Sequence, residues 1–304
     1  MKIRTFIITL LSLCALHSGA QTLTATYVEL ADSADRYIRQ ERWADAERVI
    51  VKALRHEPAN KSNYLLWSNL GVARTEMKNY DGALEAYEIG LAMAPASTAL
   101  LSNRARTYMA KGDKKDAVAD LDKALSLDST LQWPRKMRGL VRASAGDNEG
   151  ALSDFRIYIN RFGKDAAISE ACGDIDVAKG DISGAISHYR EAYTLEPDTD
   201  LLGKALLSAY LYGRIEEMEE DLAEGIRKNP RNGMLYLMRA MLDKAKFQNS
   251  AMEQDLKMAK DFGVNQEIYD LVTGKTRESG KRYSGLSLSK FFKIKSTKSK
   301  FFRL

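Results

Sequence analysis

The sequence predicts an all-α array of helical hairpins, and three observations predict it. An anchor residue, small in its first five occurrences, recurs at Ala46, Ala83, Ala117, Ala151, Ala185, Met218 and Met252, in steps of 37, 34, 34, 34, 33 and 34 residues. A bulky residue keeps step four positions later, at Ile50, Tyr87, Leu121, Phe155, Tyr189, Leu222 and Leu256, a spacing that puts both on one helix face. Gly112, Gly146, Gly180 and Gly213 fall between paired helical patterns, where a helix stops on a left-handed residue that costs glycine little. A fixed period of this length marks stacked supersecondary units sharing one elongated core.

In chain order, Lys2 and Arg4 precede an apolar run from Phe6 to Leu16, then small residues at Ser18 and Ala20. These are the parts of a secretory signal, and an apolar stretch of 11 residues is too short to span a bilayer. Residues 1–20 are therefore expected to be a signal peptide, and the product exported to the periplasm or beyond the bacterial cell. The weaker alternative is a lipoprotein acylated at Cys14, with Leu13 standing where a small residue is needed. Residues 21–272 form the array.

Its first unit, Tyr27 to Asn60, carries Leu30, Ala34 and Tyr37 on one helix and Ala46, Ile50, Ala53 and Leu54 on the next, closed by Pro58. Three extra residues, Lys61 to Asn63, predict a looser joint before the second unit, Tyr64–Ser97. Units three to seven begin at Thr98, Gln132, Ala166, Thr199 and Gly233. Pro134 is tolerated in a first helical turn. Met218 and Met252 predict wider helix spacing in the last two units. A short capping helix, Gln266 to Leu271, is expected to start on Asn265, turn Ile268 and Leu271 inward, and stop at Thr273-Gly274. Residues 273–304 read as a flexible tail.

The formal net charge of +5 hides an asymmetry. Lys and Arg against Asp and Glu number 34 to 40 in residues 21–272 but 10 to 1 in residues 273–304. The body is mildly acidic, so no nucleic-acid partner is expected.

Trp67-Ser68-Asn69-Leu70-Gly71, then Ala83 with Tyr87, then Pro95, resemble the tetratricopeptide repeat signature almost term by term. The exception is Arg74, at an aromatic position. The resemblance covers about residues 27–265 and implies an α-solenoid of about seven repeats, wound as a right-handed superhelix, that serves as a non-enzymatic scaffold for protein or peptide partners.

It also implies which residues line the concave groove. Carried onto this sequence, these include Asn69, Asn103, Arg106 and Met109 in the second and third repeats. Trp133, Lys136 and Leu140 follow in the fourth, and Tyr210, Leu237 and Met241 in the last two. Chaperone-binding members of the family clamp a peptide carboxylate with Lys and Asn. Asn69, Asn103 and Arg106 echo parts of that clamp, but Ser68 and Val72 replace needed members, so that specialisation is not expected.

The tail holds Lys290, Phe291, Phe292, Lys293, Lys295, Phe301, Phe302 and Arg303. It reads as a solvated end, as an anchor to an anionic membrane or partner surface, or as a segment docked in a groove near Glu76, Glu170 and Asp174. In the anchoring case the protein would tether an envelope assembly.

Arg104/Asp120, Arg138/Asp154 and Arg239/Asp255 stand 16 residues apart at equivalent places, as internal ties, because an unpaired buried charge is costly. The fifth repeat changes both members, to Cys172 and His188. A Cys–His nucleophile there would lack oxyanion donors and an orienting group. His56 lies four repeats from His188, too far to share a metal. No catalytic residue, metal or cofactor is expected.

Overall fold

The computed structural model describes residues 24–274, so the expected signal peptide and the tail residues from 275 onward lie outside the described residues. Among the described residues every regular element is helical. The first repeat is α1 (Ala25–Arg39) and α2 (Trp43–His56), the second α3 (Asn63–Glu76) and α4 (Tyr80–Met93), the third α5 (Thr98–Lys111) and α6 (Lys114–Leu127). The fourth is α7 (Gln132–Ala145) and α8 (Asn148–Phe162), the fifth α9 (Ala166–Lys179) and α10 (Ile182–Leu195). The sixth is α11 (Thr199–Leu211) and α12 (Glu219–Lys228), the seventh α13 (Gly233–Ala245) and α14 (Asn249–Asp261), and α15 (Gln266–Thr273) follows. The helices fall into two compact units divided within α8, one through Tyr158 and one from Ile159. In each unit successive helices pack as antiparallel hairpins of the expected kind.

The local chemistry repeats with the fold. Five of the seven first helices, all but α3 and α7, open on a side-chain acceptor, as when Asp165 Oδ1 accepts from Ala167 N and Ile168 N, or Asn232 Oδ1 from Met234 N, satisfying amides that lack intrahelical partners. The turn between paired helices needs one residue with positive φ. Glycine supplies it at Gly112, Gly146, Gly180 and Gly213, while Glu41, Lys78 and Phe247 take the same place in the other three repeats. Phe247 does so with its ring 89% exposed, so no packing offsets the steric cost of a left-handed L-residue.

The two helices of a hairpin meet by size matching. A Cβ added to Gly139 would lie 2.5 Å from the Phe155 ring, and one on Gly173 2.6 Å from the Tyr189 ring; Gly71 stands in the same way under Tyr87. Where the opposing residue is Leu121 or Leu256, the facing position is Ala105 or Ala240. A ring thus demands glycine across from it and a leucine admits alanine, as close packing requires.

Two expectations, on the first joint and on the last helix, need correction. The insertion after the first repeat is tied down rather than loose. Buried Asn63 donates to the Glu57 carbonyl at 2.7 Å and accepts from Tyr27 Oη at 2.9 Å. Asn60 Nδ2 donates to Glu57 Oε2 and its Oδ1 accepts from Ser62 N. Extra length became hydrogen-bonded turn because the two asparagines supply the donors and acceptors that a buried loop lacks.

In the sixth repeat the second helix begins with a 3-10 turn, Ile215–Met218, and Met218 is fully buried at its end, whereas Met252 is only partly buried. The two methionines therefore do not act alike. Finally, α15 starts on Asn265, whose Oδ1 accepts from Glu267 N and Ile268 N, and stops at left-handed Gly274 as expected. It runs to Thr273, however, and buries Tyr269 and Val272, while Ile268 packs against the same apolar cluster as expected and the Leu271 side chain lies outside what is described.

Candidate functional site

The inner faces of α3, α5 and α7, all in the N-terminal unit, carry the densest set of buried polar side chains outside the ion pairs. Ser68, Asn69 and Thr75 of α3 and Ser102, Asn103, Arg106 and Thr107 of α5 are all buried. Several are used locally. Thr75 and Thr107 hydroxyls bond each other at 2.7 Å across the two repeats, Thr75 Oγ1 also donates to the Gly71 carbonyl, and Ser102 Oγ to that of Thr98. Asn103 donates to Ser68 Oγ over a long 3.4 Å. Its Oδ1 has no hydrogen-bond partner among the described residues, although the residue is 1% exposed. A buried carbonyl oxygen left this way is costly.

Arg106 lies over the Trp133 ring, 5.3 Å from its centroid, a cation–π geometry. Burial pulls its guanidinium below the ordinary range, with Tyr87 and Glu76 acting against that, and burial raises the Glu76 carboxyl, with Arg106 opposing. Burial likewise pushes the Tyr87 hydroxyl up to about 12.

The structure places the expected groove residues in three ways. Asn69, Asn103, Arg106 and Met109 are buried along α3 and α5. Trp133, Lys136 and Leu140 are partly exposed on α7. Tyr210, Leu237 and Met241 belong to the C-terminal unit, where Leu237 and Met241 are buried in the main apolar cluster and Tyr210 packs against it. The tail set, Lys290 to Arg303, lies outside the described residues.

The Arg–Asp ties are present in all three repeats. Arg104 grips Asp120 through two bonds of 2.7 Å, and Arg239 grips Asp255 at 2.5 and 2.7 Å. Arg138 bonds Asp154 at 2.8 and 2.6 Å. The fourth repeat adds what the spacing did not reveal. Arg135 and Arg142 also converge on Asp154, and Arg138 and Arg142 both reach Asp122 of the preceding repeat.

The unexpected Arg74 acts in the same way as Arg142, donating to Glu47 of the preceding repeat and to the Gly82 carbonyl. The available signal was that both arginines replace the same aromatic position, and a cation there ties neighbouring repeats.

The fifth repeat differs. His188 Nδ1 pairs with Asp176 at 2.6 Å, while Cys172 is buried and its thiol pushed up to about 11, chiefly by burial. A thiol held neutral is inert. Glu170 and Asp174 both bond Lys204 Nζ at 2.8 Å, and Tyr189 Oη donates to Asp174. Burial raises the Glu170 carboxyl, Lys204 opposing, whereas for Lys204 the two carboxylates outweigh burial and raise it. Among the described residues no three His, Cys, Asp or Glu side chains are grouped to hold a metal ion, and no helix is long and apolar enough to cross a membrane.

The tetratricopeptide repeat family model matches residues 32–97 and 68–131. Together the two matches span residues 32–131, about a third of the chain. The fold extends further: a tetratricopeptide repeat protein from Parabacteroides merdae superposes with a TM-score of 0.59 over 83% of this chain and 98% of its own, at 21% identity. PilW, a type IV pilus biogenesis factor, does so with a TM-score of 0.57 over 70% of this chain and 98% of its own, at 19% identity. YrrB, a tetratricopeptide repeat protein with an unusual peptide-binding site, gives 0.50 over 61% and 95%, at 18% identity. A heat-shock cognate co-chaperone of Aspergillus fumigatus is 35% identical over 81 residues, which span 27% of this chain and only 24% of that protein.

Proposed function

We propose that this protein is a non-enzymatic scaffold that binds an extended peptide on the inner faces of α3, α5 and α7. The carrying observation is that α7 presents partly exposed aromatic, aliphatic and cationic side chains, Trp133, Leu140 and Lys136, beside the polar row of α3 and α5, a mix suited to an extended peptide. Trp133 and Leu140 on α7, both partly exposed, offer apolar contact to the peptide side chains, and Lys136 a cation at the rim. The repeat family supports this reading, as does a structural neighbour described as having a peptide-binding site.

The location is the bacterial envelope, supported by the signal-like residues 1–20. The excess of 10 basic residues over 1 acidic in residues 273–304 favours a second role, tethering to an anionic surface. Fractionation of cells expressing the chain with and without residues 275–304 tests both.

The decisive test of the peptide site is Lys136→Glu, a charge reversal at a partly exposed position of α7. Peptides selected from a random library on the wild-type protein should bind the variant at least ten-fold more weakly by fluorescence anisotropy. Circular dichroism and the melting temperature check that the variant keeps its fold. Unchanged peptide affinity in a folded variant would end this reading.

A further inference from the structure

The repeat register puts Leu207 and Tyr210 of α11 and Leu237 and Met241 of α13 on an inner face, but that face is not open. Tyr269 and Val272 of α15 are buried in the same apolar cluster as Leu207, Leu237 and Met241. Tyr210 Oη donates to the Val272 carbonyl at 3.0 Å, satisfying one of the carbonyls a helix leaves free at its C-terminus.

The two buried residues stand three apart and so share a side of α15, while Gln266 and Glu267 are exposed. An eight-residue helix is too short to hold its shape alone, so its helicity comes from the surface beneath it. The same apolar cluster includes Met238 and Met241, whose side chains adapt to different apolar ligands.

From this arrangement we infer that the inner face of α11 and α13 is a helix-accepting surface with α15 as its resident. An external amphipathic helix with an aromatic residue and a β-branched residue three positions later competes for it. α15 itself specifies that ligand: the ring enters the cluster, the β-branched side chain follows one turn on, and a carbonyl near the helix end meets Tyr210. This surface is separate from the polar site on α3, α5 and α7 and does not rest on it.

The test uses the full chain and a fluorescein-labelled peptide of residues 264–274. The double variant Tyr269→Asp/Val272→Asp should release α15 and bind the peptide at least ten-fold more tightly than wild type by anisotropy. Tyr210→Phe, which keeps the ring and loses the hydrogen bond, should show a gain of a few-fold. The peptide carrying the same two aspartates should bind none of the proteins.

Equal affinity for wild type and double variant, or no binding to a double variant with wild-type circular dichroism, would overturn the proposal. So would loss of repeat helicity in the double variant, which would make α15 an inseparable part of the fold. Hydrogen exchange on wild type gives an independent reading. The α15 amides should exchange well ahead of those in α13, and equal protection of the two would also overturn it.

Discussion

The inner faces of the second to fourth repeats and of the sixth and seventh occupy equivalent places in the repeat and are built from opposite chemistry. The first presents Ser68, Asn69, Asn103 and Arg106, with the charged network around Asp154 behind it. The second presents Leu207, Leu237 and Met241 and is met by α15. Polar side chains can be held in an inner face where internal partners serve them, as the Thr75 and Thr107 hydroxyls serve each other. An apolar face of the same area would be an exposed patch, which soluble proteins cover or use. The hairpin scaffold therefore permits either kind of face, and the side chains at a few inner positions decide whether the chain must supply its own cover.

The largest expected effect tests the polar half. Asp154→Ala would leave Arg135 and Arg138 without a carboxylate that is 1% exposed. The loss should be about 3–5 kcal/mol, the range found when one partner of a buried ion pair is removed, measured by urea denaturation. An effect below about 1 kcal/mol, the size of an exposed pair, would mean that the network is solvated.

Leu237→Ala sharpens the apolar half. With Leu237 fully buried, truncation should cost about 2–5 kcal/mol. A partner-facing leucine would cost far less, so a silent substitution would place this side chain on an open surface.

The smallest effect lies in the fifth repeat, at Glu170 of α9. Burial raises its pKa above the ordinary 4.5, despite Lys204. The folded state therefore holds this proton more tightly than the unfolded chain does. The stability this contributes is full below the ordinary value and is lost as pH rises through the raised one. Lowering the pH from 7 towards 5 should thus favour the folded state at this site. Thermal melts across that window should show a shallower pH dependence in Glu170→Gln than in wild type. Parallel curves would show that Glu170 titrates as it does in the unfolded chain.

Much of the fold was legible because its signals are local. Helix geometry fixes the four-residue spacing of Ala83 and Tyr87, and hairpin length fixes the distance between one anchor and the next. The 16-residue spacing of Arg104 and Asp120 spans one hairpin, so those ion pairs could be read directly. The Gly–aromatic matching of Gly139 with Phe155 was equally present in the sequence, though only the clash distance gives it meaning.

Less of the site was legible. Nothing in the spacing showed that Arg74 and Arg142 reach back to the preceding repeat, because each lies 20 residues or more from its partner there and no period links them. Nor did the three residues after Asn60 announce a hydrogen-bonded turn; Asn63 finds Tyr27 at a separation of 36 residues.

By itself, then, the sequence determined the repeat, its helices, its turns and the ion pairs inside each hairpin, since all of these depend on distances along the chain that helix geometry sets. Only the tertiary structure decided that the last helix covers the inner face of α11 and α13. That outcome depends on where the chain returns after its last repeat, as when Val272 meets Tyr210 across 62 residues, and no local pattern encodes such a meeting.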